Sequence, residues 1–191
     1  MTSSQALIPQ LISRHQNQTL GNILSVFAGL ALMTALAQIS IPLPWTPVPI
    51  TGQTFGVTFL SLIWGRNRGL AVMLSYLALG IAGALLFALG QAGFSWGPTS
   101  GYLIGMVIAS AWLGTLADLG WTKTFWRSYV AAASGSLIVF SCGLYGLSFF
   151  LPQQTLLSAG LYPYIPGDFI KTLAACLLAQ ALAARGCSKR P

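Results

Sequence analysis

The stretch YIPGDFIKTLAA, residues 164–175, places an acid and a base three positions apart, Asp168 and Lys171, at the head of an apolar run. Only 6% of the 191 residues are charged, so the pairing stands out. On a helix such residues share a face, about 4.5 Å apart along the axis and about 60° around it. An ionised carboxylate accepts hydrogen bonds, whereas an ammonium only donates them. Together they suit a ligand that offers N–H donors beside a carbonyl oxygen. A plainer reading stands alongside: Asp168 caps a helix that starts after Pro-Gly, and Lys171 snorkels back to pair with it. The functional reading gains from cost, because an ionisable side chain at the membrane centre costs about 2.5–3.5 kcal/mol, and less toward the edge.

The elements that must carry this pair are membrane spans. Hydrophobic residues make up 55% of the chain, and the mean hydropathy is +0.74, well above the usage of a soluble domain. Six apolar stretches are long enough to cross a bilayer at about 20 residues each: Leu20–Ile41, Val48–Trp64, Leu70–Leu89, Thr99–Leu116, Phe125–Leu151 and Gly167–Ala184. Pro and Gly punctuate the breaks, as in PLPWTPVPITG, GRNRG, GQAGFSWGP and YPYIPG. Scattered small residues, including GIAGALLFALG and AAASGSL, permit close helix contact. The expected fold is an all-α membrane protein, a compact bundle of six transmembrane helices. Its divisions are an N-terminal cytoplasmic segment 1–19, a substrate-binding membrane domain 20–185 and a basic cytoplasmic tail 186–191.

Charge orients this bundle. Arg14, Arg66, Arg68, Lys123, Arg127, Arg185, Lys189 and Arg190 all fall on one side when sorted by loop, and the alternate loops Pro42–Pro47, Gly90–Pro98 and Pro152–Pro166 hold no Lys or Arg. The positive-inside rule then makes both termini cytoplasmic. The formal net charge of +7 is thereby a topology signal rather than a nucleic-acid footprint. Lys171 is left as the ninth cation, at the outer end of the last span, with Asp168 the one acid on that half. The small residues Ala35, Leu36 and Ala37 after an apolar run resemble a signal-peptidase site, but the run continues through Ile39 and Ile41, which favours a span.

Other chemistry is scarce. The chain has no glutamate, one histidine (His15) and no G-x-x-x-x-G-K-[ST] phosphate loop, and Asp118 falls at the opposite membrane face from Asp168. Neither an ATPase nor a carboxylate-pair or metal hydrolase is expected. Cys142 and Cys176 lie in apolar runs and, with Cys187, are odd in number, so no disulfide framework or metal cluster is implied. The outer loops carry Trp45, Phe94, Trp96, Tyr162 and Tyr164, with Thr51, Gln53, Gln91, Thr99 and Ser100 nearby. Each aromatic alone fits an interfacial belt. Gathered over the ionisable pair they resemble the lining of an apolar ligand pocket. WGPTSGYL starts a helix whose free N–H groups could hold an anion, or which Thr99 or Ser100 simply caps.

Three ordered motifs, PVPITGQTFGV after the first span, GPTSGYLIG opening the fourth and IPGDFIK opening the sixth, resemble the BioY family, the biotin-binding substrate component of energy-coupling factor transporters. The resemblance implies a non-enzymatic subunit without a cofactor, in the plasma or inner membrane. It captures biotin from outside and delivers it with a partner transmembrane protein and cytoplasmic ATPases. It further implies that Asp168 meets the two ureido N–H groups and Lys171 the ureido oxygen, with Gln53, Thr99 and Tyr102 as further motif positions. Ser100 departs from the family's second glycine and adds a hydroxyl. With no arginine in Gly90–Pro98, the biotin carboxylate falls to hydroxyls, backbone N–H groups or water. Ala31 and Ala35, one turn apart on the first span, match the alanine motif that docks the coupling partner; ordinary bundle packing is the alternative. The basic inner loops suit anionic lipid or that partner. Competing functions are a substrate component for another vitamin and a self-sufficient secondary transporter that moves protons through Asp168.

Overall fold

The computed structural model describes residues 6–8, 18–93 and 96–187, with nothing said of the side chains of 185–187. Arg14, His15, Phe94, Lys189 and Arg190 lie outside the described residues. Helix dominates. Helix α1 (Gln18–Gln38) ends where the chain enters a proline-rich segment whose missing N–H groups cannot continue it. Two short strands, β1 (Ser40–Ile41) and β2 (Ile50–Thr51), pair antiparallel with Ser40 opposite Thr51. This clasp returns the chain to its starting point, and the Gly52 amide donates to the Ile39 carbonyl at 2.9 Å.

The next helix, α2 (Gln53–Ile81), is not straight. Gly65 adopts φ +73° inside it, a left-handed region that glycine enters at little cost. In a straight helix Gln53 and Tyr76 would stand about 34 Å apart at about 1.5 Å per residue. Their side chains are instead hydrogen-bonded at 2.7 Å. The chain therefore doubles back at Gly65 into two antiparallel limbs, 53–64 and 66–81. A Cβ added to Gly69 would sit 3.3 Å from the Ser61 Cα, which places the limbs in close contact. Asp118 secures the turn by accepting the Arg66 amide at 3.0 Å.

A loop with one tight turn at Ala88–Gly90 leads to α3 (Ser100–Asp118), and α4 (Phe125–Leu147) returns against it. Gly101 and Gly146 let these two backbones meet, since a Cβ on Gly146 would lie 2.7 Å from the Gly101 Cα. A short helix, α5 (Gln153–Gly160), precedes α6 (Ile165–Cys187). The core is the α2 hairpin and its neighbours, with Met33, Leu60, Val72, Tyr76, Met106 and Leu147 buried. Leu24, Phe27, Leu137, Tyr145 and Ile170 face outward, the reverse of a soluble surface. Gln18–Gln38, Ser100–Asp118, Phe125–Leu147 and Gln153–Ala184 are each long and apolar enough to cross a bilayer. The protein is a helical, multi-pass membrane protein.

Element boundaries differ from the sequence expectation for identifiable reasons. Val48–Gly52 belongs to the strand clasp rather than to a span, because Pro47 and Pro49 hold it extended. The apolar run from Leu70 leaves the helix at Ile81 instead of Leu89, where Gly83 takes φ +103°. Helix α5 occupies a stretch read as loop, and α6 begins at Ile165, two residues before Gly167.

Candidate functional site

Asp168 lies in the first turn of α6 as its fourth residue. Its amide already donates to the Tyr164 carbonyl at 2.8 Å as part of the helix ladder. A capping residue precedes that ladder, so the Asp168 carboxyl is available for something else. The polar groups acting on it are the Ser136 and Thr172 hydroxyls and the Lys171 ammonium. Lys171 does not turn its hydrogen bonds toward Asp168. It donates to the Thr51 carbonyl at 2.9 Å and to the Thr54 hydroxyl at 3.0 Å. An ammonium has three N–H groups, so one remains for a ligand, and the other two hold it in place.

Both residues line a cavity of about 180 Å³. The strand clasp contributes Thr46, Val48 and Thr51, the start of α2 gives Gln53 and Thr54, and the loop before α3 gives Phe87, Leu89 and Gln91. Leu103, Met106, Val139 and Phe140 form the apolar wall. A largely apolar hollow with a few fixed polar groups suits a small organic ligand.

Gln53, Thr99 and Tyr102 line the same cavity as Asp168 and Lys171. Gln53 is fixed on both atoms: its oxygen accepts from Thr51 Oγ1 at 3.0 Å and its nitrogen donates to the Tyr76 hydroxyl at 2.7 Å. Tyr102 donates its hydroxyl proton to the Gly160 carbonyl at 2.7 Å. It therefore offers the cavity chiefly ring surface. Tyr164 behaves likewise, donating to the Val48 carbonyl. Ser100 is not part of this lining; it borders a neighbouring hollow and accepts the Gly97 amide at 2.9 Å. Trp45, Trp96 and Tyr162 are exposed and lie outside the cavity lining, positions that fit an interfacial belt. Ala31 and Ala35 are exposed on one face of α1. Thr54, Ser136 and Thr172 escaped the sequence reading, since a lone hydroxyl in an apolar helix commonly bonds its own backbone.

The BioY family model matches residues 11–186. The chain belongs to the BioY family. Among its BioY relatives is the biotin transporter of Thermotoga maritima, 34% identical over 156 residues, which cover 80% of this chain and 89% of that protein. The biotin transporter of Rhodobacter capsulatus is 31% identical over 178 residues, covering 84% and 91%. The fold is similar to a crystal structure of the S-component for biotin from an ECF-type ABC transporter, with TM-score 0.82 and 26% identity over 89% of this chain and 94% of that one. The three motifs read from the sequence thus belong to a BioY protein, and two of them, TGQT and GDFIK, meet at the cavity through Lys171, Thr51 and Thr54.

Proposed function

We propose that this protein captures biotin from outside the cell as the substrate-specific subunit of an energy-coupling factor transporter. The observation that carries the reading is Lys171 held by Thr51 and Thr54 with one N–H to spare, beside the Asp168 carboxyl, in a single apolar cavity. Biotin presents two ureido N–H groups flanking a carbonyl, on an apolar fused ring. Asp168 accepts one N–H group, Lys171 donates to the carbonyl between them, and Gln53 offers its remaining lone pair or N–H, because the two ureido N–H bonds diverge and one carboxylate cannot reach both. The Tyr102 and Tyr164 rings and Met106 pack against the bicycle. Thr99 and Gln91 meet the carboxylate tail together with water, and Ser100 supports the loop that carries Thr99.

The same reading has six spans with both termini cytoplasmic. The two α2 limbs count as separate crossings, and Arg66, Arg68, Lys123 and Arg127 gather at the end of the bundle that includes Asp118. The site then opens to the outside of the plasma or inner membrane. Ala31 and Ala35 receive the coupling transmembrane subunit, and cytoplasmic ATPases supply the work, with no catalytic step in this chain.

Calorimetry on the purified full-length chain tests the binding function. Saturable biotin binding is expected, with thiamine and riboflavin failing to compete. An absence of saturable binding refutes the reading, and displacement by another vitamin reassigns the substrate.

A further inference from the structure

One wall of the cavity is a segment of irregular backbone. Between α2 and α3, Phe87, Ala88, Leu89 and Gln91 contribute to the lining, and the segment contains Leu89 at φ +60° and Gly90 at φ +67°. Leucine disfavours that region because its Cβ crowds the following carbonyl. Such a conformation persists only when its surroundings impose it.

Part of the restraint is local, since the Phe87 amide donates to the Gln91 carbonyl and the Gly90 amide to the Phe87 carbonyl, both at 3.1 Å; the rest comes from one side chain far away in sequence. Gln38, the last residue of α1, donates its amide nitrogen to the Phe87 carbonyl at 3.1 Å and the Leu86 carbonyl at 3.4 Å. Its amide oxygen accepts the Gly90 N–H at 3.1 Å. A primary amide can satisfy acceptors and a donor at once. It thereby brackets Leu89, gripping the backbone on both sides of the strained residue. The opposite side of the segment is held by the Tyr76 hydroxyl on the Leu86 carbonyl at 3.0 Å and by the edge-on Tyr76–Phe87 ring contact. Gln38 itself does not line the cavity and is exposed.

We propose that Gln38 is a latch: its side-chain amide holds segment 86–90 closed as the cavity wall and sets how long a ligand remains, without touching the ligand. The latch follows from backbone geometry and stands apart from the biotin reading; only its second readout uses biotin. In the full-length chain, hydrogen exchange of the peptide covering 86–90 is measured without ligand, and biotin release is measured by chase. Gln38→Ala is expected to speed exchange of that peptide about tenfold and biotin release about tenfold, with association changed by less than about threefold. Gln38→Glu keeps an acceptor for Gly90 but sets a second carboxylate oxygen against the Leu86 and Phe87 carbonyls, so it too should speed both readouts. Gln180→Ala, which breaks a bond to the Thr122 carbonyl at the other end of the bundle, should change neither readout. Unchanged exchange in both Gln38 variants overturns the latch. Faster exchange with unchanged release overturns its role in ligand residence. If the parent chain binds no biotin, the functional reading fails, while the exchange comparison still decides whether Gln38 restrains the segment.

Discussion

Replacing Asp168 with asparagine isolates the acid's contribution while preserving shape. Asparagine keeps one acceptor oxygen and puts an NH₂ group in place of the other. That NH₂ is best accommodated by turning toward the Ser136 and Thr172 hydroxyls, which already act on the carboxyl and can accept as well as donate. The remaining oxygen can then serve the same ureido N–H, so the variant keeps that hydrogen bond but loses its charge. A hydrogen bond to a charged group contributes about 1.5–3 kcal/mol against about 0.5–1.5 for a neutral one, and the difference of about 1–1.5 kcal/mol corresponds to about a 5-fold to 13-fold weaker Kd. Calorimetric titration of the parent, Asp168→Asn and Arg127→Gln with biotin reads this directly. Arg127 lies near the start of α4, at the opposite end of that helix from the cavity-lining residues Val139 and Phe140, and its loss should leave Kd within about twofold. If folded Asp168→Asn binds biotin as tightly as Arg127→Gln, the carboxyl does not hold the ureido group.

Two further changes probe other parts of the molecule. Gly65→Ala places a methyl group against Asp118 Oδ1 at a φ of +73°, so a loss of about 1–2 kcal/mol is expected; it should lower the thermal midpoint in detergent, and an unaltered midpoint would contradict the proposed hairpin turn. The double change Ala31→Leu with Ala35→Leu adds bulk to an exposed face of α1; biotin affinity should persist while co-purification with a coupling transmembrane subunit is lost, and retained co-purification would remove that face from the docking reading.

Much of the site was legible in the sequence because charge is so rare here. With two acids in the whole chain, Asp168 and its companion Lys171 could hardly be overlooked, and Gln53, Thr99 and Tyr102 line the same cavity. What escaped was relational. Lys171 looked like a partner for Asp168, yet it is the Thr51 carbonyl and Thr54 hydroxyl that hold it, and a backbone carbonyl leaves no trace in composition. Ser100 sits next to a cavity residue, but one helical step of about 100° turns it to a neighbouring hollow. GRNRG was recognisable as a break, though not as a reversal made by a single residue with helix on either side. The proline-rich segment after α1 read as a simple connection because two-residue strands lie below the reach of any periodicity.

The reversal at Gly65 also determines how deep the cavity lies. Limbs 53–64 and 66–81 are about 18 Å and about 24 Å long at about 1.5 Å per residue, shorter than a hydrocarbon core of about 30 Å. Against lipid, such a shortfall would thin the bilayer around it. Here Leu60, Leu62, Ile63, Val72, Met73 and Tyr76 are buried against the protein's own helices, and only one side of limb 66–81, with Leu74 and Leu79, faces outward, so most of the shortfall is taken up inside the bundle. The missing length becomes headroom inside the bundle, and Gln53 and Thr54, at the tip farthest from Gly65, line the space it leaves. Adding a helical turn to each limb would raise that floor by about 5 Å and close the hollow without altering any residue that faces it.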